Sequence, residues 1–402
     1  MKATKIRSIA TVQVETQPNV LWVLLETADG AVGLGETFFG ADAVAAYLHE
    51  TAAPYLLGKD ALDITAHWRA LYRLWSRKGV GAEARGASAV DIALWDLFGH
   101  TTGLPLYQLL GGKVRDAMRV YNTCAGPAYQ GTRLRPGDSL FGIGQPGAPD
   151  EDLWAFLNAP EELAESLLAE GIGAMKIWPF DATLAVDGGQ LAGREMIAAG
   201  IAVLERIKGA VGDRMEVALE MRSRWLLPAA RRIVAAVEPY DPLWIEDPIR
   251  NDNLEALAEL ARATRIPIAA GENLGSRFRQ RELLASHAVG IVLSDATWCG
   301  GVTEARRIAE LAALYALPFG LHDCSGPVNL AVGVHVSMSV ENAFMQEIAR
   351  AYYRGWYQEV AVGLPPLRDG LIAPHDGPGH GIRLAPDLLD RRGTLVRRSI
   401  VA

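Results

Sequence analysis

Residues 215–220 read MEVALE, residues 243–247 LWIED and residues 267–272 PIAAGE. Each is a short apolar run closing on an acid, and Glu220, Glu246 and Glu272 follow one another at intervals of 26 residues. Working outward, five more runs have the same character: RVYNTC (119–124), AMKIW (174–178), GIVLSD (290–295), PFGLH (318–322) and AFMQE (343–347). Helical patterns such as EELAESLLAE, GREMIAAGIAVLERIKGA, NLEALAELARAT and TEARRIAELAALYA separate them. Eight strands alternating with helices predict a parallel α/β barrel of the TIM type. The rival, a doubly wound open sheet, prefers a Gly-rich turn after its first strand, and none is present. Gly33 and Gly35 lie in a hairpin-like segment with no following helix, a poor dinucleotide fingerprint.

The chain has 402 residues, half of them hydrophobic, with 39 Lys+Arg against 47 Asp+Glu and a net charge of −8. Such a composition supports a large core and excludes global disorder. The acidic balance speaks against nonspecific nucleic-acid binding. Three cysteines (Cys124, Cys299, Cys324) make no disulfide framework. The start, MKATKIRSIATVQVE, lacks the apolar stretch of a signal peptide. No apolar run approaches the length of a membrane span. The expectation is a soluble, cytoplasmic protein.

Three segments are expected: an α+β unit over 1–115, the barrel over 116–355, and a turn-rich segment over 356–402 that returns to the first unit. In the first, LWVLLETADGAVGLGETF reads as two strands around Asp29-Gly30. Helical patterns follow, the last of them ending in Gly103 with Pro105 beyond. Residues 126–160, rich in Gly and Pro and carrying Arg133 and Arg135, form a long connection after the first barrel strand. There it would sit over the C-terminal face as a lid or pocket wall, or else be a surface insertion.

Consecutive barrel strands place their last residues side by side on one rim. Carboxylates at 220, 246 and 272 would repel one another there, and a hard divalent cation relieves that; all-oxygen ligation favours Mg²⁺ over Zn²⁺. The alternative is three separate surface or ion-paired acids. Asp295 and His322 end the next two strands, 27 residues apart. A carboxylate beside an imidazole fixes its tautomer and stabilises the imidazolium, which makes His322 a general base. The other histidines lack such a partner. Cys324 has no base aimed at it, so a thiol nucleophile is not expected.

As a set, LSD, GLH and MQE after three glutamate strand ends and Lys176 resemble the mandelate racemase branch of the enolase superfamily, and AVDIALWDLFGHTTGLPLYQLLGG resembles its capping-domain signature. The resemblance spans nearly the whole chain. It implies a modified (β/α)7β barrel, an α+β capping domain completed by the C-terminal segment, and a homo-oligomer. It also implies Mg²⁺ on Glu220, Glu246 and Glu272, His322 as base with Asp295 its partner, Lys176 as a contact to the substrate carboxylate, and Glu347 as the acid hydrogen-bonding that carboxylate. The substrate would be a small sugar acid.

One departure bears on the reaction. The family's second Lys of the Lys-x-Lys pair is replaced by Trp178, and an indole takes no proton. Racemisation needs a base on each face, whereas β-elimination of water needs one, so an acid-sugar dehydratase is the leading expectation. The leaving hydroxyl would be protonated by His322 itself in a syn elimination, by Tyr121, or by a lid residue. A lactone cycloisomerase or an epimerase on the same scaffold is the alternative, and a non-catalytic barrel a third, against which the retained residue set counts. Arg222 would bind a distal hydroxyl or carboxylate, or else pair with Glu220 or Asp247. Asn122 would meet a substrate hydroxyl. Phe39, with Phe38, lies in the capping segment and either shapes the pocket or packs in a core. Asp247 and Asn273 would steady the metal ligands.

Overall fold

The computed structural model describes residues 4–75, 81–133, 146–181 and 188–401. The eight expected barrel strands all form: β4 (Met118–Thr123), β5 (Ala174–Ile177), β6 (Glu216–Glu220), β7 (Ile245–Glu246), β8 (Ile268–Ala270), β9 (Ile291–Ser294), β10 (Phe319–Leu321) and β11 (Gln346–Ile348). They pair in parallel from β4 through β10, β11 pairs with β4, and a bridge between Phe319 and Ala343 closes the ring. Seven helical connections separate the eight strands, so the architecture is a (β/α)7β barrel.

Before it stand three antiparallel strands, β1 (Ile6–Val14), β2 (Gln17–Thr27) and β3 (Val32–Phe38), and the long helix Ala82–Thr102. The Asp29-Gly30 turn joins β2 and β3, with Gly30 at φ 85°, where a side chain would be strained. The C-terminal strand Thr394–Ile400 runs antiparallel to β1 and completes a four-stranded sheet. Earlier in the same segment, Leu371 and Ile372 pair with the foot of β4. Sequence reading did not give β1. Its run, IRSIATVQV, has no clean alternation because Ser8, Thr11 and Gln13 are buried too. Each has a side-chain partner, Glu26, His49 and Asp42 respectively.

Gly33 and Gly35, weak as a nucleotide motif, have a packing reason. A Cβ on Gly35 would lie 1.9 Å from the Ala89 carbonyl oxygen, and one on Gly33 2.1 Å from that of Ala93. The long helix lies directly on β3, backbone against backbone. Two side chains of the sheet, meanwhile, reach the barrel. Thr37 donates to the Thr297 carbonyl at 3.0 Å, and buried Glu36 accepts from the Asn329 N–H at 2.9 Å and from Trp22 Nε1 at 2.8 Å. No helix among the described residues is long and apolar enough to cross a membrane.

The barrel interior is layered. Tyr121, Ala174, Ala218, Trp244, Ala269, Ile291, Leu293 and Met345 form one apolar cluster. Side chains two apart on a strand share a face. The next inward residues up are therefore Thr123, Lys176, Glu220, Glu246, Asp295 and Glu347. The same parity runs from Gly320, whose missing side chain admits the Phe344 ring and Leu293, to His322. On β8 it would select Gly271. With φ 123° there, the chain turns out of the strand and Glu272 enters instead.

Two outcomes follow from these contacts. Gly35→Ala should destabilise the fold by about 1–3 kcal/mol or more through overpacking; an unchanged denaturant midpoint would refute the close approach. His335, on the buried barrel helix Pro327–Ser339, accepts from the Tyr107 N–H at 3.1 Å, and burial followed by His380 lowers its pKa from 6.5 to about 3. A histidine neutral in the fold but protonated when unfolded supports stability above pH 6.5, and that support is lost as pH falls toward 3. The advantage of wild type over His335→Asn, measured by urea unfolding, should shrink across that window.

Candidate active site

The polar layer above the apolar plug centres on Lys176. Its ammonium lies 2.8 Å from Glu246 Oε1, 2.9 Å from Glu347 Oε1 and 3.3 Å from Glu220 Oε2. All four side chains are buried. Burial opposes the charge on Lys176, but Glu246, Glu347 and Glu220 outweigh it and raise the pKa well above the ordinary lysine range. Burial also raises the carboxyls, Glu220 to about 7 and Glu246 and Glu272 to about 8, with Lys176 or His322 pulling down and neighbouring acids pushing up. Glu347 goes the other way. Lys176, His322 and Thr123 together overcome its burial and lower its pKa.

Glu220 and Glu246 face each other in the β6–β7 register. Glu220 Oε1 accepts the Arg222 N–H at 2.5 Å, and Glu246 Oε2 accepts Trp244 Nε1 at 3.0 Å. Glu272 accepts from the Asn273 amide at 3.0 Å and lies 3.6 Å from His322 Nε2. Asp247, buried behind them, takes hydrogen bonds from Asn251, Ser223 and Asn273. Among the described residues no three such donors already stand as a grip for an ion. The chemistry of the set nonetheless fits a hard dication: oxygen donors only, on neighbouring strand ends, whose negative charge burial and mutual repulsion both disfavour until a cation offsets it.

His322 and Asp295 form the second half of the site. His322 Nδ1 is 2.7 Å from Asp295 Oδ2. Asp295 also accepts from the Thr297 N–H at 2.7 Å, Ser325 Oγ at 2.8 Å and Asn329 Nδ2 at 3.2 Å. Surrounded by donors, this carboxylate holds the proton on Nδ1 and leaves Nε2 for the barrel mouth. Burial would lower the His322 pKa, but Glu272, Glu347 and Asp295 raise it well above its usual value. The Trp298 ring lies 5.1 Å from the imidazole, and Phe39 stacks on Trp298 at 6.0 Å. Phe39 thus reaches the base through one intervening indole, whereas Phe38 is buried.

Three expectations change. Asn122 faces outward by strand parity; its amide donates to Asp152 at 2.8 Å and accepts from the Arg350 N–H at 2.8 Å. It is not placed to meet a substrate hydroxyl. Thr123, one residue on, is inside and hydrogen-bonds Glu347. Tyr121 belongs to the apolar plug with Lys176 over its ring, beneath the reacting layer. Arg222 pairs through its side chain with neither Glu220 nor Asp247 but with Asp181, from Nε at 2.7 Å and also from Nη2. Trp178 is buried against Tyr129 and Phe156, a wall of the mouth. Of the 126–160 connection, Arg133 ion-pairs with Asp42, while residues 134–145, Arg135 included, lie outside the described residues. Sequence reading missed Trp298, on the short helix Ala296–Cys299 after β9, and Asp181, on the connection after β5; beyond a strand end, parity gives no signal. Thr123 could have been found by counting two residues on from Tyr121.

Lys176→Met would leave Glu220, Glu246 and Glu347 facing an uncharged side chain. Breaking such a buried pair typically costs about 3–5 kcal/mol. Thermal and urea unfolding of the variant should show that loss; an unchanged midpoint would mean that the ammonium is not what holds the carboxylates.

Comparison with known proteins agrees with this geometry. Residues 2–111 match the model of the mandelate racemase/muconate lactonizing enzyme N-terminal domain, and residues 159–388 that of the enolase C-terminal domain-like family. A D-galactonate dehydratase of Xanthomonas axonopodis pv. citri is 32% identical over 381 residues, 93% of this chain and 91% of that one. Among solved structures, an enolase of the mandelate racemase subgroup from Agrobacterium tumefaciens is 40% identical with a TM-score of 0.87, covering 98% of this chain and 99% of its own. An enolase protein from Sargasso Sea environmental sequencing is 39% identical with a TM-score of 0.88, covering 99% of both chains.

Proposed function

This chain belongs to the mandelate racemase/muconate lactonizing enzyme family of the enolase superfamily, and from that premise we propose that it dehydrates a sugar acid to a 2-keto-3-deoxy acid. The observation that carries the reading is a site that, among the described residues, has a base on one face only. His322, oriented by Asp295, faces the mouth, while Trp178, where a second base would stand, offers only an indole N–H. Racemisation and epimerisation lack their second proton acceptor. The 32% identity to D-galactonate dehydratases supports the same reading.

Glu220, Glu246 and Glu272 would hold Mg²⁺, which when bound supplies positive charge to the substrate carboxylate. The rest falls to the chain's own side chains. Lys176 and Glu347 meet the carboxylate, one as a cation and the other as a hydrogen-bond donor once it takes a proton. His322 Nε2 removes the proton on the carbon next to the carboxylate. The electron pair released forms the new double bond as the β-hydroxyl leaves with a proton, as water, and the enol then tautomerises to the keto acid. The proton for the leaving group comes from His322 in a syn elimination or from a lid residue such as Tyr129, whose ring packs on Trp178. Trp298 and Phe39 close one side.

The purified protein with Mg²⁺ should form semicarbazide-reactive 2-keto acid from one or a few members of a panel of aldonates and aldarates. His322→Asn should lower turnover by about 10²–10⁴-fold, and EDTA should abolish it until Mg²⁺ is restored. No keto acid from any acid in the panel would overturn the reading, as would full activity of His322→Asn.

A further inference from the structure

The loops after β5 and β6 bring Asp181 against Arg222, and the pair is nearly closed to solvent, with Asp181 8% exposed. The geometry is lopsided. Both Arg222 contacts fall on Oδ2, and the other oxygen, Oδ1, is buried and accepts no hydrogen bond among the described residues. Arg222 also hydrogen-bonds the Tyr129 hydroxyl. Aromatic side chains surround the pair. Trp178 and Trp225 are 3% and 1% exposed; the Trp178 N–H has no acceptor among the described residues, whereas the Trp225 indole leans on the Asp181 carboxyl itself. Arg222 and Ser223 line a cleft of about 710 Å³ on the same rim, with Asn251 and Asn273 on its far side. Two further guanidiniums in that cleft, Arg250 and Arg279, are paired with Asp252 and Glu282. Arg224 lies within the field of Asp181 as well, and burial still pushes the Asp181 carboxyl up to about 6, so it is charged at pH 8.

A patch with one acceptor oxygen lacking a donor, one indole donor lacking an acceptor and apolar ring faces matches a polyol. A hydroxyl both donates and accepts. A carboxylate only accepts, and beside Asp181 it would meet like charge. We propose that Asp181 is the specificity-determining residue of the site: its Oδ1 takes a hydrogen bond from a distal substrate hydroxyl, and Arg222, committed to Asp181, holds it in place instead of clamping a second substrate carboxylate. The substrate is then a monoacid, an aldonate, in preference to the diacid of the same sugar. This rests on the sugar-acid reading above, and of the two roles first given to Arg222 it sets aside direct binding of a distal carboxylate.

The test separates the two. In His322→Asn protein with Mg²⁺ at pH 8, calorimetry would compare gluconate with glucarate and galactonate with galactarate. The monoacid of at least one pair should bind about tenfold or more tightly than its diacid, as expected of a site built to bond a hydroxyl. Adding Asp181→Asn should weaken the monoacid and narrow or invert the ratio, while Asp181→Glu, which keeps the acceptor, should restore part of it. A merely structural Asp181 would shift both acids together. Equal or tighter diacid binding, a ratio untouched by Asp181→Asn, or no binding by any acid overturns the proposal; the ratio in His322→Asn alone decides it if Asp181→Asn does not fold. Keto acid formed by wild type from diacids only would sink this inference and spare the dehydratase. A monoacid preference in binding with no keto acid from any acid would do the reverse.

Discussion

A single ammonium buried among three carboxylates organises the mouth of this barrel. Lys176 is reached by Glu220, Glu246 and Glu347 from three other strands, so it ties β5 to β6, β7 and β11 where the backbone ladder itself is short. β7 has only two residues in the ladder and β8 three. At their upper ends main-chain hydrogen bonds such as Met221 N–H to the Glu246 carbonyl and Asp247 N–H to the Ala269 carbonyl continue the pairing, and the charge cluster adds side-chain ties across the same strands. The arrangement is tolerable only because opposite charges share the burial; none of the four could stand alone there. It also divides the barrel into two strata, an apolar plug through Trp244 and Tyr121 and a polar layer one side-chain step above.

The sequence was most informative where period and chemistry coincide. A strand with a fixed period of two, ending on an acid, declares both its direction and which end faces the mouth, and this is why the eight strands and Lys176, Glu220, Glu246, Asp295, His322 and Glu347 were legible together. The failures have physical causes. β1 was missed because its buried polar side chains are satisfied by partners far along the chain, such as His49 and Asp42, so it never looks amphipathic. Asn122 was misjudged because proximity in sequence to a strand end says nothing of parity. The protein partner expected for Arg222 differs because the one it has, Asp181, sits 41 residues earlier, beyond β5. Position φ 53° at Arg222, in the left-handed region, likewise has no sequence signature for an arginine.

Trp178 shows how a substitution in a familiar pattern can be read as chemistry. It keeps the inward parity of Lys176 and is buried against Tyr129 and Phe156. Where a lysine would present a flexible base, this position presents a rigid indole wall, which takes no proton. The same wall, with Trp298 and Phe39 across the mouth, favours exclusion of water, and a drier site strengthens every charge interaction inside it.

Glu36 belongs to the N-terminal sheet, yet it holds the first turn of the barrel helix Pro327–Ser339 through the Asn329 N–H, and the Asn329 side chain in turn reaches Asp295. Gly326 makes room for it, since a Cβ there would lie 2.3 Å from the Glu36 carboxylate. The bracing of His322 is therefore assembled from both ends of the molecule. A barrel produced without its N-terminal sheet would retain every residue of the dyad and lack the strut that aligns it. The alignment of the dyad is in that sense a property of the two units together, not of the barrel alone.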